Sequence, residues 1–247
     1  MDSALKLSAL GAASLLFVSP FKEFEEVRRS KQVGERSVLP YVCMWGSSSL
    51  WVIYGLFIGD IVPTVVTNLV GLAFSLYYCA VFAWAVEPAS RKSSTYNLYA
   101  ASFLLVCLVV TFCMGNISLR PEKLSYLDDA NSRDVDVNER SRHFLGVAAS
   151  SATAIQFAAP LAELVKVMRR RSTEGMSLTL AVVSFLCSSL WLSYGVVVWD
   201  PFIYVPNVLG LCFSTTQLVL FWWFPRKKGN TSLTLKARLE DPYKGVV

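Results

Sequence analysis

The residue types in this chain suited to binding a small molecule come in matched pairs. Ser48-Ser49-Leu50-Trp51-x-x-Tyr54-Gly55 recurs 140 residues later as Ser188-Ser189-Leu190-Trp191-x-x-Tyr194-Gly195. After a slip of one residue, Asn68-x-x-Gly71-Leu72-x-Phe74-Ser75 recurs as Asn207-x-x-Gly210-Leu211-x-Phe213-Ser214. An Asn amide offers an acceptor oxygen and two donors without a charge, so its burial is tolerable. A Trp ring offers a flat apolar face with one N–H handle. Two of each suit a ligand with hydroxyls on its edges and C–H groups on its faces. The competing reading for each Asn is a helix–helix hydrogen bond contributing about 1 kcal/mol. For each Trp it is the interfacial aromatic belt, a place that suits Trp84, Trp199, Trp222 and Trp223 better. Enzymatic chemistry has little to stand on: no His/Cys/Asp cluster, Gly-rich phosphate loop or metal-ligand spacing occurs in the sequence, and neither cofactor nor metal is expected.

The elements that hold these pairs follow from composition. Of 247 residues, 54% are hydrophobic and 17% charged, with a mean hydropathy of +0.46, whereas soluble domains are roughly one-quarter charged. A helix needs about 20 mostly apolar residues to cross the hydrocarbon core. Seven windows meet or approach that, at 4–20, 38–58, 62–85, 96–116, 143–162, 177–198 and 201–224. Lipid cannot satisfy free backbone groups and no period-two barrel pattern is present, so the segments read as helices. The expected fold is an all-α membrane protein with seven transmembrane helices and no separate soluble domain.

Net charge +5 does not point to nucleic acid, because the basic residues are distributed by side. Lys and Arg number five in 21–36, two in 87–95, four in 161–176 and six in 225–247, all in alternate loops. The other side holds five, all in 117–142, together with Glu122, Asp128, Asp129, Asp134, Asp136 and Glu139. The positive-inside rule puts the N-terminus outside and the C-terminus in the cytosol. Cys43, Cys79, Cys107, Cys113, Cys187 and Cys212 all fall inside apolar windows, where a thiol behaves as a small hydrophobe, so no disulfide framework is expected. Asn116-Ile117-Ser118 is a glycosylation sequon on the expected outer side, crowded against the end of the fourth helix.

At the spacing of 140, Pro20 also meets Pro160, Glu23 meets Glu163, Arg29 meets Arg169 and Asp60 meets Asp200. Matches of Trp, Asn, Pro and Gly in order indicate duplication. Because Pro20 belongs to the repeat, the first window reads as a structural helix rather than a cleaved leader. Each copy has three helices, an odd number, so the window at 96–116 restores the orientation and makes the copies parallel. The organisation is a 3+1+3 arrangement: 1–86 the first repeat, 87–142 a linker helix and extracellular loop, 143–225 the second repeat, 226–247 a cytosolic tail.

At these residues the sequence resembles the eukaryotic SWEET sugar transporters, a family with parallel repeats. The resemblance rests on Ser19-Pro20-Phe21 and Ala159-Pro160-Leu161, on Arg171-Ser172-Thr173-Glu174, on Leu39-Pro40-Tyr41, on both Leu-Trp-x-x-Tyr-Gly motifs and on Val205-Pro206-Asn207. It implies facilitated, bidirectional movement of a small-molecule sugar across a lipid bilayer by alternating access. It implies a pocket formed by Asn68, Asn207, Trp51 and Trp191, and hinges at Pro20, Pro40 and Pro160. The fourth hinge position of the family falls at Ser177, so the set is incomplete.

Trp at both pocket positions predicts a small cavity and a monosaccharide preference over sucrose. Gln156, one turn before Pro160, is either a further hydroxyl contact or a partner of Ser150–Thr153. Asp200 with Tyr54, and Asp60 with Tyr194, either close the outer face or are solvated loop groups. No acid occupies a helix centre, and His143 begins the fifth helix as a surface residue, so proton coupling is not expected. Small residues from Ala148 to Ala154 allow close packing within or between subunits. The plasma membrane is the expected location, with an internal membrane the alternative. The rival readings are a proton-coupled amino-acid exporter of the PQ-loop type, lacking its Pro-Gln pair here, and a seven-helix receptor or scaffold.

Overall fold

The computed structural model describes residues 2–33, 37–85, 102, 130–156, 158–173 and 176–224. Within these the chain is helical: α1 (Asp2–Val18), α2 (Phe21–Ser30), α3 (Leu39–Ile58), α4 (Val66–Ala85), α5 (Ala130–Gln156), α6 (Ala158–Arg170), α7 (Leu178–Val197) and α8 (Pro201–Trp223). The window at 96–116, Cys107, Cys113, Asn116 and the tail from 225 lie outside the described residues.

Five stretches among them are long and apolar enough to cross a membrane: Ser3–Ser30, Leu39–Ile58, Ile61–Ala85, Leu178–Val197 and Pro201–Trp223. Leu7, Leu15, Leu56, Leu69, Leu76 and Leu186 on them are exposed, which suits hydrocarbon and not water. The protein is an all-α membrane protein. One boundary differs from expectation. Residues 130–142, read as loop, are the first turns of α5. The hydropathy window registers only the apolar part of that helix, but 130–145 contains no Gly or Pro to stop it, so the helix extends beyond the apolar stretch.

Proline explains the helix breaks. Pro20 has no N–H for the Leu16 carbonyl four residues back. The Ser19 hydroxyl takes that carbonyl instead at 2.8 Å, and the chain restarts as α2. In the second unit Pro160, in the first turn of α6, likewise has no N–H for the Gln156 carbonyl. Both short helices then end in a left-handed residue, Lys31 (φ 57°) and Arg171 (φ 48°), again 140 apart.

The one-residue slip in the repeat has a local origin. In the second unit Tyr204 N–H donates to the Asp200 carbonyl, an ordinary helical turn, whereas in the first Val65 N–H donates to Asp60, one residue further. The wide turn at Ile61–Val65 absorbs the extra residue, and Asn68 and Asn207 emerge at equivalent places.

The two units interlock by exchange of equivalent surfaces: α1 packs on α7, and α3 on α5. α2 packs on α4 of its own unit, and α6 on α5 and α8 of its own. Ala9 and Ala13 on α1 and Ala149 on α5, all buried between the units, let the helix axes approach closely. The C-terminal end of α3 meets the start of α8, and that of α7 meets the residue before the wide turn into α4. Matching ends thus lie at the same end of the bundle, as parallel repeats require.

Candidate functional site

Between the units lies a cavity of about 200 Å³. Trp51, Asn68, Gln156, Trp191 and Asn207 all line it, so the structure brings the five sequence-derived binding candidates together. Trp51 and Trp191 are 9% and 8% exposed, while Trp84, Trp199, Trp222 and Trp223 are 55–85% exposed. The interfacial reading therefore fits the last four and not the first two.

Each Asn is held by its own helix. Asn68 Nδ2 donates to the Thr64 carbonyl at 2.9 Å and Asn207 Nδ2 to the Ile203 carbonyl at 2.7 Å. One N–H of each amide is used to fix the side chain; the other N–H and the carbonyl oxygen remain for a ligand. The indoles are tied across the units. Trp191 Nε1 donates to the Ala9 carbonyl on α1 at 3.1 Å. Trp51 Nε1 donates to Thr153 Oγ1 on α5 at 2.8 Å, and Thr153 in turn donates to the Ala149 carbonyl at 3.1 Å. Ser47 lies 3.3 Å from the same hydroxyl. Of the alternative partners for Gln156, Ser150 donates to the Phe202 carbonyl and Thr153 is engaged as described.

Ser47, Thr67 and Thr153 also line the cavity and are not among the sequence-derived binding candidates; Pro206, part of the Val205-Pro206-Asn207 motif, lines it too. Thr and Ser are commonplace in apolar helices. The available signal was comparative: Thr153 stands where the first unit has Ala13, Ser47 where the second has Cys187, and Thr67 where it has Pro206.

At the bundle end beyond the cavity, two tyrosines reach across the units. Tyr54 donates to Asp200 Oδ2 at 2.6 Å and Tyr194 to Asp60 Oδ2 at 2.8 Å. Asp200 is 2% exposed; its other oxygen accepts from Phe202 N–H and caps α8. Arg142, another residue not singled out, places Nη2 3.3 Å from Asp200 Oδ2. Asp60 has a hydroxyl there instead, that of Thr64. The carboxylates are thus bound rather than solvated, below a vestibule of about 740 Å³ that Glu139 and Arg142 also line.

The prolines lie toward the opposite end. Pro20 separates α1 from α2, Pro40 is in the first turn of α3, and Pro160 is in the first turn of α6. Ser177, where the fourth proline is missing, caps α7 by accepting from Leu180 N–H at 3.3 Å.

Comparison with known proteins fits this architecture. The fold matches that of a eukaryotic SWEET transporter solved at 3.7 Å resolution, with a TM-score of 0.74 over 90% of this chain and 95% of that one, at 24% identity. The bidirectional sugar transporter SWEET2a of Sorghum bicolor is 31% identical over 89% of this chain and 82% of its own length. The sugar transporter SWEET1 of Caenorhabditis elegans is 29% identical over 92% of this chain and 67% of its own. Residues 3–88 and 143–229, the two repeats and well over half of the chain, match the family described as "sugar efflux transporter for intercellular exchange", and the chain belongs to that family, the SWEET transporters.

Proposed function

We propose that this chain is a facilitative, bidirectional sugar uniporter that works by alternating access and prefers a monosaccharide. The observation that carries the reading is the pairing of Asn68 with Asn207 and of Trp51 with Trp191 around one cavity between parallel units. The indole faces would cover a pyranose ring while the free amide groups, with Gln156, read its hydroxyls. A cavity of about 200 Å³ is below the roughly 300–1,000 Å³ typical of drug-sized ligands, which favours one ring over two. The relatives' names, sugar transporter and bidirectional sugar transporter, point the same way.

The Asp60/Asp200 end is assigned to the outside by the charge distribution, leaving the N-terminus outside and the C-terminus cytosolic, in the plasma membrane. The pairs Tyr54–Asp200 and Tyr194–Asp60 then close the outer face. Pro20, Pro40 and Pro160 supply the hinges at the cytosolic end. The boundaries 1–86, 87–142, 143–225 and 226–247 are retained as the working division of the chain, and association of copies is part of the same proposal.

Flux of radiolabelled glucose, galactose, fructose and sucrose in a transport-deficient cell tests this. Hexose flux without sucrose flux is expected, unchanged when the proton gradient is collapsed. Robust sucrose transport with no hexose transport would sink it, and loss of flux with the gradient would refute uniport.

A further inference from the structure

Buried polar atoms are almost always hydrogen-bonded, and each exception calls for an explanation. Three side-chain oxygens among the described residues are buried without a partner: Thr67 Oγ1, Ser141 Oγ and Thr173 Oγ1. Only Thr67 belongs to the cavity lining. It is 2% exposed and sits in the first turn of α4, immediately before Asn68. A helical threonine ordinarily returns its hydroxyl to a carbonyl three or four residues back; here that bond is not made. Thr67 therefore carries the cost of an unsatisfied hydroxyl at the wall of the cavity.

We infer that Thr67 is a specificity-determining contact of the sugar site, its hydroxyl bonding one hydroxyl or the ring oxygen of a bound monosaccharide. The inference rests on the cavity being that site. Rotation about the threonine χ1 exchanges methyl and hydroxyl without moving the backbone, so the group facing the cavity can become the oxygen when a sugar provides a partner. The second unit cannot reciprocate, because the equivalent residue is Pro206, which has neither hydroxyl nor N–H. The two Asn residues alone would read a sugar almost equally in two orientations related by the pseudo-twofold axis. Thr67 makes the two orientations unequal, and the sugar atom beside it becomes the one whose removal matters most.

The test compares Thr67→Val, nearly the same shape without the hydroxyl, with Thr67→Ser, which keeps it. Each is expressed as the full chain and assayed for glucose flux in competition with the 2-, 3-, 4- and 6-deoxy analogues. In the unsubstituted chain one analogue is expected to bind about tenfold more weakly than glucose, the effect of losing one neutral hydrogen bond. Thr67→Val should lower glucose to the level of that analogue and leave the analogue itself unchanged, while Thr67→Ser keeps the original pattern. Because the substitution removes an unsatisfied polar atom, detergent-solubilised Thr67→Val without sugar should melt no lower than the unsubstituted chain. A lower melting temperature would show that the hydroxyl has a structural partner and would overturn the assignment. So would Thr67→Val matching the unsubstituted chain on every sugar, or losing all of them equally. Absence of any hexose flux from the unsubstituted chain would instead overturn the reading of the cavity as a sugar site, and this inference with it.

Discussion

The indole of Trp51 reaches the α5 backbone only through the hydroxyl of Thr153, 2.8 Å away, whereas its counterpart Trp191 bonds the Ala9 carbonyl directly. Ala9 and Ala149 are equivalent in the repeat, so both rings answer to the same carbonyl, once directly and once through a relay. The relay can be removed without touching a ring.

Thr153→Val would leave the buried Trp51 N–H without its acceptor, a loss of about 1–3 kcal/mol. A lower melting temperature in detergent and a several-fold rise in the half-saturating hexose concentration are expected. Thr153→Ser, which keeps the relaying hydroxyl, should show neither change. Equal behaviour of the two variants would argue against the relay.

Asn68→Ala and Asn207→Ala should each abolish hexose flux while surface expression and melting temperature stay close to those of the unsubstituted chain. The amide of each is tied only to a carbonyl of its own helix, a contact contributing about 1 kcal/mol or less in a membrane helix. The alternative, in which these residues merely pack the helices, predicts lost stability with flux retained in whatever folds. Paired flux and thermal-melt measurements on the same preparations separate the two.

The readable part of this molecule was what repeats in rare residue types. Trp51 with Trp191 and Asn68 with Asn207 stood out because chance similarity between apolar helices matches Leu and Val, and those residues do meet at one cavity. The extension of α5 back to Ala130 was hidden because hydropathy registers only the part of a helix that lipid touches. Thr153, Thr67 and Arg142 were hidden for a different reason. Each gains its meaning from a neighbour on another helix, or from lacking one, and a single sequence does not say which helices touch. The slip between Asn68 and Asn207 was visible as a number, but its cause, a turn one residue wider after Asp60, is a matter of backbone geometry.

Repeat comparison also exposes a strained residue. Gly59 follows α3 with φ 75°, and Trp199, its equivalent after α7, is held at φ 54°. That left-handed conformation costs an ordinary L-residue roughly 1–2 kcal/mol and glycine very little. The Trp199 side chain is 82% exposed, so removing it leaves no cavity. Trp199→Gly should therefore raise the melting temperature in detergent by an amount equivalent to about 1 kcal/mol. In a bilayer the gain should shrink, since an interfacial Trp anchor is lost. No gain in detergent would mean that the strain is relieved some other way.

The last expectation concerns the closure at the Asp60/Asp200 end. Asp200 carries a nearby cation, Arg142, whereas among the described residues Asp60 is bonded by the hydroxyls of Tyr194 and Thr64. The two halves of the closure are therefore held by different chemistry, although their tyrosines are equivalent. Arg142→Gln removes the charge but can still donate a hydrogen bond, and it leaves the buried Asp200 with Tyr54 and the Phe202 N–H. Because the Arg142 side chain is 46% exposed, water already screens the pair, and a loss of about 1 kcal/mol from the closed state is expected, roughly a fivefold shift in population. Tyr54→Phe with Tyr194→Phe removes both cross-unit bonds and should shift it further. Cys187, which lines the cavity, is a natural reporter. Its modification by a membrane-impermeant thiol reagent added outside, followed by mass spectrometry of its peptide, should accelerate in the order unsubstituted, Arg142→Gln, double tyrosine variant. Labelling of Cys187 that is equally slow in all three would show that the closure is maintained by helix packing and not by these polar pairs.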